Sequence, residues 1–189
     1  SEMCIRDRYM EEQLLKPGER INQLFSTDIK IIQNREVFSY SVDSVLLSRF
    51  PRFPKRGLIV DFCAGNGAVG LFASSRTQAR IISVEIQERL ADMAERSVQL
   101  NGLEEQMRVI CDDLKNMPAH IQGSKVDMIL CNPPYFKVDP YSNLNESEHY
   151  LLARHEIATN LEEICRSAQS ILKSNGRLAM VHRPDRLLD

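Results

Sequence analysis

Two short motifs in this sequence contain the residue types that bind small ligands and support group transfer. The first runs from Asp61 to Gly70, Asp-Phe-Cys-Ala-Gly-Asn-Gly-Ala-Val-Gly, and its glycines have the spacing G-x-G-x-x-G directly after an apolar run. Glycines at a strand-to-helix turn let the backbone bend sharply and let a ligand approach the main chain. Dinucleotide-binding enzymes share this spacing, so the glycines alone do not identify the ligand.

Two carboxylates indicate which ligand the glycine turn binds. Asp61 lies four residues before Gly65, where it can pair with an ammonium group but would repel a pyrophosphate. Glu85 lies 20 residues after Gly65, where an acid can accept hydrogen bonds from ribose hydroxyls. S-adenosylmethionine has an ammonium group and a ribose without a phosphate, and it fits both positions. The alternative is structural: Asp61 caps the turn, and Glu85 is an ordinary carboxylate at a strand end.

A third carboxylate follows the next apolar run. Asp113 is predicted to accept a hydrogen bond from the adenine amino group of the cofactor, because the apolar Leu114 after it is typical of a packed turn. The adjacent Asp112 can take the same role, and capping a helix is the alternative role of Asp113. The predicted cofactor-binding residues are therefore Asp61, Gly65, Gly67, Glu85 and Asp113, together with Asn132.

The second motif, Asn132-Pro133-Pro134-Tyr135, directly follows the apolar run that ends at Cys131. Ligands of open α/β sheets bind beyond the carboxyl ends of the strands. The prolines fix φ and remove two backbone donors. The Asn132 side-chain oxygen and the Pro133 carbonyl are therefore rigid acceptors for the two N–H groups of a planar amino group. Such bonds favour a pyramidal nitrogen whose lone pair can attack a methyl donor.

Three residues of this region are predicted to be catalytic: Asn132, Pro133 and Tyr135. Tyr135 is expected to stack on a flat substrate, with Phe136 and Arg154 as further substrate-binding residues. The alternatives are an ordinary Pro-Pro turn, core packing for Phe136 and a solvated surface charge for Arg154. The motifs require no metal, and none is expected.

Five short apolar runs predict the strands that position these motifs. Helical patterns over Glu88–Asn101 and Leu161–Leu172 separate several of them, which indicates an α/β fold with a doubly wound, mostly parallel, Rossmann-like sheet. Upstream, Ile29–Gln33 is predicted to be a short strand and Asp43–Phe50 a helix. The predicted sheet strands are Leu58–Phe62, Arg80–Glu85, Met107–Cys111, Val126–Cys131 and Arg177–His182.

Composition and charge restrict the classes of protein to consider. The 189 residues are 43% hydrophobic and 26% charged, which is typical of one soluble globular domain. No apolar run approaches the roughly 20 residues that a membrane helix needs. Five scattered cysteines without a C-x-x-C pair argue against disulfides and zinc, and indicate a reducing cytoplasm. Because the net charge is −2, binding to RNA would require a local basic patch.

The motifs together resemble the class I S-adenosylmethionine-dependent methyltransferases that act on amino groups, in the branch called methyltransferase small domain. The segments Phe38-Ser-Tyr-Ser-Val-Asp43-Ser-Val-Leu-Leu and Ala153-Arg-His-Glu156 resemble the tRNA1(Val) adenine-N6 methyltransferases, which modify the adenine just 3′ of the anticodon. The resemblance implies a cytoplasmic enzyme with S-adenosylmethionine as cofactor and tRNA as partner. A monomer is favoured.

The same resemblance sets the expected domain boundaries. The family fold has seven strands, whereas five are predicted here, so the methyltransferase domain over residues 14–189 is expected to lack its C-terminal strands. Residues 1–13 are expected to be disordered or a remnant of cloning or sequencing.

Related chemistries remain open on the motifs alone. Asn-Pro-Pro-Tyr also serves enzymes that methylate guanine N2 in ribosomal RNA, adenine in DNA or a glutamine amide in release factors. A different class is a non-catalytic, methyltransferase-like module that binds RNA. A dehydrogenase is a more distant alternative, and it would bind NAD rather than S-adenosylhomocysteine.

Overall fold

The strands form one hairpin and one larger sheet. The computed structural model of the protein describes residues 12–24, 27–34, 40–123, 125–133 and 161–182. In chain order the strands are β1 (Glu19–Gln23), β2 (Lys30–Asn34), β3 (Leu58–Phe62), β4 (Arg80–Glu85), β5 (Met107–Cys111), β6 (Val126–Cys131) and β7 (Leu172–Met180).

The larger sheet has the order β5-β4-β3-β6-β7, and every neighbouring pair is parallel. The strand order reverses between β3 and β6, which creates the crevice where ligands of such sheets bind. The prediction of a doubly wound, parallel α/β sheet is therefore confirmed. The predicted bounds of β3, β4, β5 and β6 are confirmed at both ends, because each is a nearly continuous apolar run of the kind that sheet strands covered by helices show.

Helices cover both faces of the sheet. In chain order they are α1 (Val42–Arg49), α2 (Ala68–Ser74), α3 (Glu88–Leu100), a 3-10 turn (Leu114–Asn116), α4 (Met117–Ile121) and α5 (Leu161–Ile171). Residues of α1, α2 and α3, such as Leu47, Leu71 and Val98, share one buried cluster with the sheet. The 3-10 turn, α4 and α5 contribute residues such as Met117 and Ile164 to a second cluster.

The last strand of the sheet, β7, differs from the prediction. It begins at Leu172, directly after α5, and ends at Met180, whereas the sequence predicts Arg177–His182. Pairing with β6 steps from Leu172 to Arg177, so the polar residues 173–176 form an irregular part of the strand. An edge strand tolerates such a bulge without apolar side chains, which is why the apolar pattern places its start too late.

The hairpin of β1 and β2 is antiparallel and packs on α3. Ile32 lies in a buried cluster with Leu90 and Met93 of that helix, and its backbone N–H donates to Ser97 Oγ at 3.0 Å. The predicted upstream strand and helix are confirmed with boundary shifts of one residue. Among the helices that the structure describes, none has the length and apolar character that crossing a membrane requires.

Candidate active site

The glycine turn joins β3 to α2 and takes backbone conformations that side chains disfavour. Gly65 has φ 57° and Gly67 has φ 84°, both in the left-handed region. Gly67 is the residue that precedes α2. At Gly70 a Cβ atom would lie 2.7 Å from Ser83 Oγ on β4, which is closer than packing allows. The three glycines of the motif therefore have distinct structural reasons: Gly65 and Gly67 shape a turn whose backbone forms a cradle at the carboxyl end of β3, and Gly70 lets α2 pack closely on β4.

Glu85 holds this cradle in place. The side chain is 5% exposed, its Oε2 accepts the Gly65 N–H at 2.8 Å, and its Oε1 accepts the Gln87 N–H at 2.9 Å. A carboxylate has roughly four acceptor positions. Each oxygen of Glu85 therefore keeps capacity for a further donor, such as a ribose hydroxyl.

Asp61 lies behind the glycine turn, fully buried at the end of β3. Its Oδ2 accepts the Gly70 N–H at 3.0 Å, whereas its Oδ1 has no hydrogen-bond partner among the described residues. Burial raises the pKa of Asp61 to about 7, and the negative charge of Glu85 adds to this effect. A ligand cation at the unpartnered oxygen would favour the ionised carboxylate.

Asn66 is a residue of the turn that sequence reasoning missed. It is 0% exposed, and its Nδ2 donates to the Ile32 carbonyl at 3.2 Å, so it ties the β1–β2 hairpin to the glycine turn. Within the described ranges its Oδ1 has no partner. The sequence shows Asn66 between Gly65 and Gly67, which is a signal for a turn residue. Its contact with Ile32, 34 positions away, is visible only in the folded structure.

The two aspartates after β5 have different surroundings. Asp112 accepts hydrogen bonds from the Asp113 N–H at 2.7 Å and Asn116 Nδ2 at 2.8 Å, and it contacts His120 Nε2 at 2.6 Å. The bond with His120 is the largest cause that lowers the pKa of Asp112 to about 2. Asp113 accepts the Lys115 N–H at 3.0 Å and pairs with the ammonium of Lys115 at 3.4 Å. Asp113 therefore caps the 3-10 turn, the alternative role that the sequence left open.

Asn132 lies at the same sheet edge as the glycine turn. Phe62 pairs with Cys131 in β6 and with Val84 in β4, so the residues after β3, β4 and β6 share one end of the sheet. Asn132 Nδ2 donates to Ser44 Oγ at 3.2 Å, across 88 positions of sequence. Ser44 is 3% exposed in the first turn of α1. The bond directs the amide nitrogen of Asn132 toward α1 and its oxygen away from this hydroxyl.

Ser44 is the second residue that sequence reasoning missed. It stands in the Ser-Tyr-Ser-Val-Asp-Ser stretch, so the motif contained it, but no spacing indicated a contact with Asn132. In the same stretch Tyr40 packs edge-on against Phe72, with ring centroids 6.0 Å apart.

Some predicted site residues lie outside the described part of the chain. Tyr135, Phe136 and Arg154 are among them, and their roles remain predictions. Pro133 is described and buried directly after Asn132. Within the ranges that the structure describes, no group of three or more histidine, cysteine or acidic side chains is placed to hold a metal ion.

The geometry of the glycine turn, Glu85 and Asp61 fits S-adenosylmethionine. The turn offers a backbone cradle, and Glu85 offers acceptor capacity at the end of the neighbouring strand. Asp61 offers a buried oxygen that lacks a partner among the described residues. An isolated buried acceptor is costly, and a bound ammonium would remove that cost.

Solved structures of other proteins have a similar fold. A S-adenosylmethionine-dependent methyltransferase from Agrobacterium tumefaciens matches with a TM-score of 0.59 at 18% identity, covering 89% of this chain and 53% of that one. TrmN from Thermus thermophilus matches with a TM-score of 0.51 at 23% identity, covering 70% of this chain and 36% of that one. At these identities the likeness shows the fold.

Curated relatives with the name tRNA1(Val) (adenine(37)-N6)-methyltransferase match the chain. The protein from Shewanella halifaxensis is 27% identical over 141 residues, which cover 75% of this chain and 56% of the relative. The protein from Porphyromonas gingivalis is 29% identical over 155 residues, covering 78% of this chain and 59% of the relative. The chain therefore spans somewhat more than half the length of these relatives.

The family model for the methyltransferase small domain matches residues 28–186. This range includes the glycine turn, Glu85, both aspartates after β5 and the Asn132 motif. The match confirms the predicted family and, with it, S-adenosylmethionine as the cofactor. Because the match covers most of the sequence and the described residues have the parallel sheet and cradle that this cofactor needs, the chain belongs to the methyltransferase small domain family.

Proposed function

We propose that this protein transfers a methyl group from S-adenosylmethionine to the exocyclic N6 of an adenine in tRNA. The observation that supports this most directly is the position of Asn132. It lies at the sheet edge that also bears the glycine turn, and its amide is oriented by Ser44. Two acceptors side by side, the Asn132 side-chain oxygen and the Pro133 carbonyl, match the two N–H donors of an amino group, whereas a hydroxyl offers one donor and a carbon acid none.

The chain contributes positioning rather than acid–base chemistry in this proposal. When bound, S-adenosylmethionine would supply an electrophilic methyl group and would leave as S-adenosylhomocysteine, and the methylated, transiently cationic nitrogen would release one N–H proton to water. Asn132 Oδ1 and the Pro133 carbonyl each accept one N–H of the substrate amino group. These two bonds hold the nitrogen in line and favour a pyramidal geometry, which directs the lone pair toward the donor. Orientation of this kind can account for several kcal/mol of an activation barrier.

The cofactor-binding roles follow the surroundings of each residue. Asp61 pairs with the ammonium group, Gly65 and Gly67 let the backbone approach the ligand, and Glu85 accepts the ribose hydroxyls. Between the two aspartates we favour Asp113 for the adenine amino group. Three donors of the chain already occupy Asp112, whereas only Lys115 bonds with Asp113. Asn132 would lie near the methyl-donor end of the cofactor and would add little to its affinity, because its main role is toward the acceptor.

Substrate recognition depends on residues beyond those described. Tyr135 and Phe136 provide an aromatic platform for the flipped or unpaired base, and Arg154 contacts the RNA backbone. The support for tRNA is the shared name of the curated relatives, which are tRNA1(Val) (adenine(37)-N6)-methyltransferases at 27% to 29% identity.

The proposal is tested by incubating the protein with S-adenosylmethionine that has an isotope-labelled methyl group. Three separate acceptor pools are used: tRNA, ribosomal RNA and soluble protein from cells that lack the corresponding gene. We expect label in the tRNA pool. Label that enters only protein would show a side-chain amide substrate, and label that enters only ribosomal RNA would contradict the assignment to tRNA.

A further inference from the structure

The segment that links α1 to β3 has an unusual charge. Arg49, Arg52, Lys55 and Arg56 lie within eight residues of sequence, and all four side chains are exposed. Between residues 44 and 84 the sequence contains one acid, Asp61, which is fully buried. The chain as a whole is slightly acidic, with a net charge of −2. The positive charge of this segment is therefore local and is not balanced by neighbours in sequence.

No acid of the described residues forms an ion pair with these four cations. Elsewhere in the structure, basic side chains do meet acids: Arg96 pairs with Glu19 at 2.5 Å, and Lys173 pairs with Asp127 at 2.7 Å. The edge strand β7 adds a fifth exposed cation, Arg177, whose Nη2 donates to the Arg52 carbonyl at 2.7 Å. We call the exposed side chains of Arg49, Arg52, Lys55, Arg56 and Arg177 the α1–β3 basic patch.

The backbone that bears the patch is held firmly. The Gln78 N–H donates to the Lys55 carbonyl at 3.2 Å, and the Arg80 N–H donates to the Gly57 carbonyl at 2.9 Å. The guanidinium of Arg76 lies 5.1 Å from the ring centre of Phe53 and donates to the Ser48 carbonyl at 2.5 Å. A surface that is already ordered loses little conformational entropy when it binds a partner.

An aromatic side chain stands within this positive surface. Phe50 follows α1 directly and is 86% exposed, so most of its ring faces solvent. Proteins that bind single-stranded nucleic acids often have exposed aromatic rings among cations, because the cations contact the phosphates and the ring stacks on a base. An acidic protein segment would meet the charges but would not need the ring.

The patch also has a fixed distance to the site. Ser44, whose hydroxyl contacts Asn132, and Phe50 lie at opposite ends of α1, six residues apart. At 1.5 Å per residue this separation is about 9 Å along the helix axis. The cations of the patch lie toward the amino ends of the strands, because four of them precede β3 and Arg177 pairs with Met128 near the start of β6. Asn132 follows the carboxyl end of β6, so an RNA strand whose target base reaches Asn132 must extend along the length of α1 to meet the patch.

We propose that the α1–β3 basic patch and Phe50 bind the phosphate backbone and one base of the same RNA, several nucleotides away from the methylated one. This inference depends on the proposed function, because it names the surface that holds the same RNA substrate. Each lysine or arginine that neutralises an RNA phosphate releases counterions. The logarithm of the binding constant therefore falls linearly with the logarithm of the salt concentration, with a slope of about 0.7 to 0.9 per contact.

The test compares two variants that each remove two positive charges. R52Q/K55Q lies in the patch, and K125Q/R166Q replaces exposed cations in the part of the chain that packs on the other face of the sheet. Binding of bulk tRNA is measured at several salt concentrations. The patch variant is expected to reduce the salt slope by about 1.5 and to weaken binding tenfold or more. The control is expected to keep the slope of the unmodified protein within about 0.5.

A further variant tests the stacking contact. F50A is expected to weaken tRNA binding about tenfold with an unchanged salt slope. For all variants, the midpoint of thermal unfolding and the affinity for S-adenosylhomocysteine are expected to remain those of the unmodified protein. Equal effects of the patch and control variants would overturn the inference, as would binding of anionic lipid vesicles in place of tRNA.

The two proposals fail in different ways. If the unmodified protein methylates tRNA and R52Q/K55Q binds and methylates it equally well, the patch is wrong and the function stands. If the unmodified protein binds tRNA through the patch but transfers methyl groups only to another pool, the tRNA substrate is wrong and the surface stands.

Discussion

Glu85 Oε2 accepts a hydrogen bond from the Gly65 N–H at 2.8 Å, so the acid at the end of β4 fixes the turn at the end of β3. The two residues that sequence spacing associates with one ligand are therefore bonded directly to each other. Glu85 therefore orders the cradle, and we propose a second role in which its remaining acceptor positions bind ribose hydroxyls.

Replacing Glu85 with glutamine tests this double role. The glutamine amide has one oxygen and one NH2 group, so its NH2 group faces the N–H of either Gly65 or Gln87. Two donors cannot bond to each other, and one of the two buried hydrogen bonds is lost. We expect the affinity for S-adenosylhomocysteine to fall at least tenfold, and the free energy of unfolding to fall by about 1–3 kcal/mol. Titration calorimetry and urea unfolding measure the two effects. E104Q, at an exposed glutamate, is the control, and equal behaviour of both variants would disprove the role of Glu85.

Asp61 predicts a specific pH dependence of stability. Its pKa is raised from 3.8 to about 7, so between those values the folded protein binds more protons than the unfolded chain. Stability therefore falls as pH rises from about 4 to 7, and the loss is complete above pH 7. D61N keeps an acceptor for Gly70 but cannot ionise. The difference in unfolding free energy between D61N and the unmodified protein is expected to grow by about 2–3 kcal/mol from pH 5 to 8.

Urea unfolding at pH 5 and pH 8 measures this difference. Parallel pH profiles of the two proteins would show that Asp61 does not titrate in the folded state. The sign is opposite to that of a surface carboxylate in an ion pair, because burial here opposes the charged form.

The sheet could be predicted where apolar runs are bounded by glycine or acidic residues. β3 and β4 have their predicted ends because each is a short, nearly continuous apolar run: Gly57 precedes β3, and the acidic Glu85 is the last residue of β4. The start of β7 could not be predicted, since residues 173–176 are polar and pair through a bulge that no periodicity reveals.

The site was predictable at residues that a local motif contains, and not at residues whose role is a distant contact. Glu85 and Gly65 follow from spacing. The contact between Ser44 and Asn132 joins residues 88 positions apart, and neither motif alone indicates it. His120 had no partner pattern in sequence, yet it lies 2.6 Å from Asp112, eight residues away.

Ser44 is expected to be a positioning residue that acts through Asn132. S44A should lower kcat at least tenfold and change KM for tRNA less than threefold, because the amide loses its fixed orientation while the binding surfaces remain. S48A is the matched control, since Ser48 is a buried serine of the same helix whose hydroxyl donates to the Val45 carbonyl at 2.7 Å. A loss of kcat in S48A as large as that in S44A would show that the effect of S44A comes from a less stable α1 and not from the lost contact with Asn132.

Asn132 is expected to act on the acceptor and not on the donor. N132A should abolish methyl transfer while the affinity for S-adenosylhomocysteine changes by no more than about threefold, roughly 0.7 kcal/mol. N175A, at an exposed asparagine of β7, should leave both quantities unchanged. A large loss of cofactor affinity in N132A would mean that this side chain holds the methyl donor.

The central claim concerns the atom that receives the methyl group. After reaction of tRNA with S-adenosylmethionine that has a deuterated methyl group, the tRNA is digested to nucleosides and analysed by mass spectrometry. The account predicts deuterated N6-methyladenosine, which is absent when N132A replaces the unmodified protein. Label in a guanosine or in a ring nitrogen of adenine, with no N6-methyladenosine, would contradict it.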